Sequence, residues 1–456
     1  MDRKWRALII VCLGIFMLLL DITVVNVALP QIQKELHTSF TELQWVVDAY
    51  ALLLATCMLS AGTLGDWLGR KRVFIVGVGL FTAASAACGA ATSPLFLNLA
   101  RGAQGVGGAA MFAVSLAILS QEFHGRERGT AFGIWGATIG LAVAIGPLVG
   151  GVLTEYAGWR WIFFVNVPIG VICIAGAMRE LHESRDEGHA GFDLFGFVFV
   201  TAGLFALVLA LLRGNAWGWG SGRTIGLFVA AVVLLTAFVI EQLRKTAPMF
   251  DMALFRKPTF TGAQIVAFTI SSAMFSQFLY LTLYLQNYLH LSPLQAGLRF
   301  LPLSLLAFVT APIAGRLSAR IPVRILLGAG MTLVGVALLL MHGITPSSDW
   351  TTLLPGFIVG GIGIGLVNAP LASTAVSVVE PRRAGMASGI NNTFRQVGIA
   401  TGVAGLGAIY QSQASPIDGL NEILLVAAFV AFAGAVLAVA LVRDSDFVRM
   451  PLPSEA

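Results

Sequence analysis

The stretch ALIIVCLGIFMLLLDITVVNVAL, residues 7–29, decides the fold. It holds a single charge, Asp21, and exceeds the roughly 20 apolar residues a helix needs to cross a bilayer core about 30 Å thick. Only as a helix does each backbone N–H and C=O of such a run find a partner inside lipid. Arg3, Lys4 and Arg6 precede it, as in a signal peptide. No small-residue cleavage site follows, and Asp21 interrupts the apolar core, so the run reads as a spanning helix. Similar runs recur along almost the whole chain. Hydrophobic residues make up 57% and charged residues 11%, where soluble domains carry about 25% charged, so water is not the main solvent of this protein. Cys12, Cys57, Cys88 and Cys173 lie inside apolar runs without CxxC or histidine spacing and read as small buried hydrophobes.

The pattern predicts an all-α integral membrane protein with spans at 7–29, 43–63, 73–92, 95–119, 130–153, 161–179, 192–212, 223–243, 260–288, 296–317, 321–342, 351–378, 387–410 and 421–442. A net charge of +5 would suggest nucleic acid or anionic partners in a soluble protein; here its distribution reports topology. With the N-terminus inside, Lys34, Arg160, Arg213, Arg223 and Arg299 face out, and Arg101 and Arg395 lie within helices. The rest of the 28 basic residues, Arg382 and Arg449 among them, face in. Both termini are therefore expected in the cytoplasm, with the chain in the inner or plasma membrane. Trp5, Trp45, Trp67, Trp159, Trp161, Trp217, Trp219 and Trp350 fall at predicted helix ends, where indoles prefer the headgroup layer; Trp135 lies a little over one turn in.

Two stretches recur about 255 residues apart. Ala61-Gly62-Thr63-Leu64, with Arg70 and Arg72 beyond it, resembles Ala314-Gly315-Arg316-Leu317, with Arg320 and Arg324 beyond it. Arg128-Gly129-Thr130-Ala131-Phe132-Gly133-Ile134 resembles Arg383-Ala384-Gly385-Met386-Ala387-Ser388-Gly389-Ile390. The repeats predict a six-helix bundle over 1–180 and another over 255–442. Between them, 181–254 holds a cytoplasmic linker and an inserted helix pair without a repeat partner, and 443–456 is a cytoplasmic tail. The mixed charge of 179–189 reads as a solvated face.

Four motifs carry the functional reading. The first is Leu20-Asp21-Ile22-Thr23-Val24-Val25-Asn26-Val27-Ala28-Leu29-Pro30. A carboxylate near mid-membrane is expensive and points to proton or cation handling, the alternative being a fixed ion pair. The second is Gly62-Thr63-Leu64-Gly65-Asp66-Trp67-Leu68-Gly69-Arg70-Lys71-Arg72: its glycines let helices approach, and Asp66 with the three cations can form a cytoplasmic latch. The third places Arg101 in Leu97-Asn98-Leu99-Ala100-Arg101-Gly102-Ala103-Gln104-Gly105-Val106-Gly107-Gly108. Helix depths bring Arg101, Asp48 and Asp21 to one level, where they could share a network. The fourth is Gly146-Pro147-Leu148-Val149-Gly150-Gly151, a stretch able to bend and to pack tightly against the other bundle.

Together these motifs resemble the fourteen-helix, EmrB/QacA-type drug–proton antiporters of the major facilitator superfamily, and the resemblance covers essentially the whole chain. It implies the major facilitator fold, a role for Arg101 in proton exchange, and export through the fourth motif, which is found in antiporters. Ala142 stands where the family usually has glycine. Further matches are Trp159-Arg160-Trp161-Ile162-Phe163-Phe164-Val165-Asn166-Val167-Pro168-Ile169-Gly170 and Ser292-Pro293-Leu294-Gln295-Ala296-Gly297-Leu298, read as interface and turn geometry. Asn391-Asn392-Thr393-Phe394-Arg395-Gln396-Val397-Gly398 adds a second intramembrane cation, which either binds an anionic group, gates the inner side, or holds a structural network.

Asn26, Gln277, Tyr280, Tyr284, Asn368, Asn391 and Arg395 are expected to line a substrate cavity between the bundles. The whole reads as a proton-coupled antiporter exporting small lipophilic or cationic compounds by alternating access, with a dedicated exporter of one metabolite or antibiotic as the alternative. Its partners are then the substrate, protons and the bilayer, without nucleic acid, and its energy comes from the proton gradient without a cofactor. An enzyme needs a convergent catalytic set. His37, His124, His182, His189, His290 and His342 all fall at loops or helix ends without metal-ligand spacing, and no GxxxxGK[ST] phosphate loop is present.

Overall fold

The computed structural model describes residues 2–185, 193–245, 248–318, 320–380 and 383–447. Arg382, His189 with the end of the 179–189 linker, and Arg449 with the end of the tail lie outside the described residues. The described chain is helical throughout, without a strand. In order it forms α1 (Arg3–Leu36), α2 (Phe40–Leu68), α3 (Arg70–Gly89), α4 (Pro94–Glu122), α5 (Gly125–Tyr156), α6 (Trp161–Glu180), α7 (Leu194–Trp217) and α8 (Gly222–Arg244). Then come α9 (Pro258–Tyr288), α10 (Leu301–Leu317), α11 (Val323–Met341), α12 (Leu354–Ser377), α13 (Ala384–Ser412) and α14 (Pro416–Leu441). A helix coincides with each expected span, except that 296–317 is broken at Phe300 into a short helix, Pro293–Arg299, and α10. Among the described residues eleven helices are long and apolar enough to cross a membrane; α5, α10 and α13 are not among them.

Local chemistry sets the helix boundaries. At α2, Ser39 Oγ accepts from the Glu42 N–H at 3.3 Å while the Glu42 carboxylate accepts from the Ser39 N–H at 2.9 Å, a reciprocal cap. Helix α3 begins where Gly69 takes φ 113°, a value that favours glycine. The N–H groups of Lys71 and Arg72 then donate to the Glu183 carboxylate at 3.1 and 3.2 Å. The 179–189 segment is thus more than a solvated face, because its Glu183 caps α3 and its Ser184 carbonyl takes the Arg70 N–H. Asp193 caps α7 through the Gly196 N–H and joins α8 through Gln242 and Lys245, both at 2.6 Å. Burial raises the Asp193 carboxyl, yet the bonds from Lys245, Gln242 and Gly196 bring it below the ordinary carboxylate range.

Helices α1–α6 pack on one another, α4 against both α2 and α3, and α1 against α5 and α6. Helices α9–α14 do the same, α12 against α10 and α11, and α14 against α11 and α9. Trp135 is fully buried between α4 and α5, its ring stacked on Phe112 and its Nε1 donating to Ser115, so it belongs to the core. The two groups meet mainly where α2 crosses α13 and where α5 crosses α10. Both crossings are built from the repeated stretches. A Cβ on Gly62 would clash with the Gly385 carbonyl, and one on Gly389 would lie 2.9 Å from the Met58 carbonyl. At the other crossing, a Cβ on Gly129 would clash with the Gly315 carbonyl, and one on Gly315 with the Gly129 carbonyl. The repeats therefore pack crosswise, the Gly62 stretch on the Gly385 stretch and the Gly129 stretch on the Gly315 stretch, and the glycines let the backbones touch.

Helix α7 lies against both α2 and α13. Ser60 and Thr201 share a hydrogen bond at 2.7 Å, and Asn215 donates to the Ala404 carbonyl at 3.1 Å. Arg213, expected in an outer loop, is buried within α7: its Nε lies 3.2 Å from Asp48, its Nη1 donates to Gln44, and its guanidinium covers Trp45 at 4.3 Å.

Gly315→Leu and Gly389→Leu should each force a crossing apart and lower stability by about 1–3 kcal/mol through overpacking, read as a fall in the thermal unfolding midpoint in detergent. Removing one member of the Asp48–Arg213 pair leaves a charge without its partner at a cost of about 3–5 kcal/mol. Asp48→Asn and Arg213→Gln should each destabilise, and the double variant should regain at least half the loss; simple addition of the two losses would show that the charges do not couple.

Candidate functional site

The first helix carries Asp21 into a closed polar cluster. Its carboxylate accepts from Arg101 Nη1, from Gln104 Nε2 at 2.8 Å and from Asn166 Nδ2 at 3.0 Å. Arg101 donates through Nε to the Val46 carbonyl at 2.9 Å, and its guanidinium stacks 4.2 Å from the centre of the Tyr50 ring. Ser85 Oγ accepts from Gln104 at 3.2 Å and Asn166 at 3.0 Å, and donates to the Phe163 carbonyl at 2.9 Å. Asp21, Arg101, Gln104, Ser85 and Asn166 are all buried. The cluster ties α1 to α4 and α6 through one ion pair and two amide bonds to a single carboxylate.

Asp48 does not join this cluster, contrary to the depth argument. Positions 45, 48, 52 and 55 lie on one face of α2, and Trp45, Leu52 and Ala55 pack with Val208 and Leu212 of α7. The Asp48 carboxylate is thereby turned towards Arg213, while Tyr50 on another side of α2 meets Arg101. Equal depth did not mean equal facing. Gln104 and Asn166 both stood in recognised motifs, and the spacing of Gln104 one helical turn beyond Arg101 was the available sign that it shares the Asp21 side.

At the other end of α2, Asp66 sits under α13. Its Oδ1 accepts from the Gly385 N–H at 3.0 Å and its Oδ2 from the Met386 N–H at 2.7 Å, so a carboxylate of the first half caps a helix of the second. Arg70 completes the arrangement with an ion pair at 2.7 Å. The other two cations expected in the latch point elsewhere. Lys71 donates to the Met178 carbonyl at 2.7 Å, and Arg72 lies 3.6 Å from Glu183. Gly62 belongs to the crossing itself and Gly69 to the start of α3.

The fourth motif packs chiefly inside its own half. A Cβ on Gly146 would clash with Thr23, and one on Gly150 would lie 3.1 Å from Val24, so α5 is held against α1 just beyond Asp21. Of the motif's three glycines, Gly151 looks across, towards Leu294 at 3.9 Å. The side chain of Pro147 lies outside what is described.

The expected cavity residues separate into two groups, with Asn26 apart from both. Asn368, Asn391 and Arg395 form one buried cluster with Gln264: Arg395 donates to Asn368 at 3.1 Å and Asn391 at 3.4 Å, and Asn391 to Gln264 at 3.2 Å. Gln277, Tyr280 and Tyr284 instead bond to the backbone carbonyls of Ile423, Val403 and Ser348 at 3.1, 2.5 and 3.1 Å, as struts between elements. Asn26 is bonded only within α1, to the Ile22 carbonyl at 3.2 Å, and is exposed.

Comparison with known proteins fits this geometry. The sequence matches the Major Facilitator Superfamily over residues 11–403 and again over 263–455. It is 38% identical over 398 residues to the multidrug resistance protein Stp of Mycobacterium tuberculosis, covering 87% of this chain and 74% of the relative. It is 33% identical over 412 residues to the tetracenomycin C resistance and export protein of Streptomyces glaucescens, with 90% and 77% covered. Against the puromycin resistance protein pur8 of Streptomyces alboniger the identity is 38% over 413 residues, with 89% and 82% covered. The solved structure of the human organic anion transporter MFSD10 matches in fold, with a TM-score of 0.69 over 96% of this chain and 100% of that one at 15% identity. The chain is a multi-pass membrane protein and a member of the Major Facilitator Superfamily.

Proposed function

We propose that this chain is a proton-coupled antiporter that exports small lipophilic or cationic compounds by alternating access. The observation that carries the reading is the buried Asp21 carboxylate, held by Arg101, Gln104 and Asn166. Protonation of Asp21 removes the charge that binds Arg101 and loosens α1 from α4, so one proton changes the packing of the first half. The resistance and export proteins among the relatives support export as the direction.

In this reading the chain crosses the plasma membrane fourteen times with both termini in the cytoplasm, as two six-helix bundles, 1–180 and 255–442, joined through the pair α7 and α8. The α2–α13 and α5–α10 crossings then close the cytoplasmic end, and Asp66 on α13 holds that closure. Opening inward separates the crossings, and proton binding from outside at Asp21 drives the return. Thiol labelling of cysteines introduced at Asn26 and Asn391 should change with pH and with substrate; reactivity indifferent to both would leave the rocking cycle without support.

The direct test uses purified protein in proteoliposomes with an imposed pH gradient and ethidium as the transported dye. Wild type should move ethidium in the direction opposite to the proton flow, and Asp21→Asn should lower the gradient-driven rate at least 100-fold while dye binding persists. Ethidium movement that ignores both the gradient and the substitution would sink the antiport mechanism.

A further inference from the structure

Arg395 stands apart among the buried charges. Asp21, Asp66, Arg70, Arg101, Asp193 and Arg213 each face an opposite charge. Among the described residues no carboxylate pairs with Arg395, which is 7% exposed. Its two bonds go to the neutral amides of Asn368 and Asn391, and its Nη2 has no partner. A guanidinium held in low dielectric without an anion is costly, and such groups mark ligand pathways.

The surroundings repeat the pattern. At 100° per residue, Ser388, Asn392 and Arg395 fall within about 60° of each other on α13. The strip they form lies between two packed faces of that helix. On one side Gly398 and Gly402 pack on α9; on the other Gly385 and Gly389 pack on α2 of the first half. Ser388 and Asn392 are fully buried, and Ser388 Oγ and both amide atoms of Asn392 lack partners, as does Arg395 Nη2. Buried polar atoms are nearly always bonded, so a run of orphans on one strip is the imprint of a missing partner. A hydroxyl, an amide and a guanidinium can all donate to it, and the net charge of the strip is positive.

We propose that this strip receives the acidic group, a carboxylate or phenolate, of the transported compound. The inference rests on the reading of the chain as an exporter of small lipophilic molecules and gives those with one acidic group the highest affinity. The forked guanidinium binds the anionic oxygen, with Asn392 and Ser388 donating beside it. Asn368 and Asn391 orient Arg395 from behind.

The test is equilibrium binding by the full-length protein in detergent micelles, with dansyl-phenylalanine and its methyl ester as probes, the ester replacing the carboxylate by a neutral group one methyl larger. Wild type should bind the acid at least tenfold more tightly than the ester. Arg395→Gln should abolish that preference, Arg395→Lys should keep a part of it because a point charge lacks the fork, and Asn392→Ala should reduce it several-fold. Equal affinity for the two probes in wild type, or a preference that survives Arg395→Gln, overturns the proposal. Should Arg395→Gln fail to fold, an unchanged preference in both Arg395→Lys and Asn392→Ala overturns it equally. No pH gradient enters this measurement, so loss of ethidium antiport and loss of acid preference are separate results.

Discussion

A charge placed inside a bilayer must be met by an opposite charge or by a task. That constraint organises the interior of this protein more than apolar packing does, since lipid tails are as apolar as the side chains and give helices no hydrophobic reason to associate. Asp21 with Arg101 ties α1 to α4, Asp48 with Arg213 ties α2 to α7, and Asp66 reaches from α2 to the start of α13. Contact also depends on surface relief: the glycine crossings bring backbones together with no side chain between them.

Most of the architecture was legible in the sequence because hydropathy is a one-dimensional signal. Segment lengths and the position of each charge along a span could be read directly, and helices stand at the expected spans, with the one break at Phe300. The repeats at Gly62 and Gly315, and at Gly129 and Gly385, were visible as well, though not that each would pack on the other's counterpart. What the sequence withheld was rotation about the helix axis. Asp48 and Asp21 share a depth, but a helix places side chains around a full circle, and the Trp45 and Leu52 side of α2 belongs to α7. Arg213 was hidden for a related reason. It lies just past the last apolar residues of its run, where a boundary error of a few residues turns a buried cation into a loop residue. Glu183 was masked by its setting, a mixed-charge segment in which nothing distinguished a capping carboxylate from a solvated one.

The two crossings are alike in backbone and unlike in chemistry. In the first repeat Asp66 follows Gly62 by four residues; the equivalent place in the second repeat is Ala319. At the α2–α13 crossing a carboxylate therefore accepts two N–H groups at a helix start, each such charged bond contributing about 1.5–3 kcal/mol. Duplication supplied the shape twice, while the polar fastening is specific to one copy.

The ionic accounting also has an electrical side. Among the described residues the buried charges of α1–α8 face opposite charges, whereas no carboxylate pairs with Arg395 of α13. A potential of 100 mV acts on one elementary charge with about 2.3 kcal/mol over the full membrane thickness. Any displacement of α13 along the membrane normal accordingly moves charge through the field, so an energised membrane acts directly on the helix that carries Arg395.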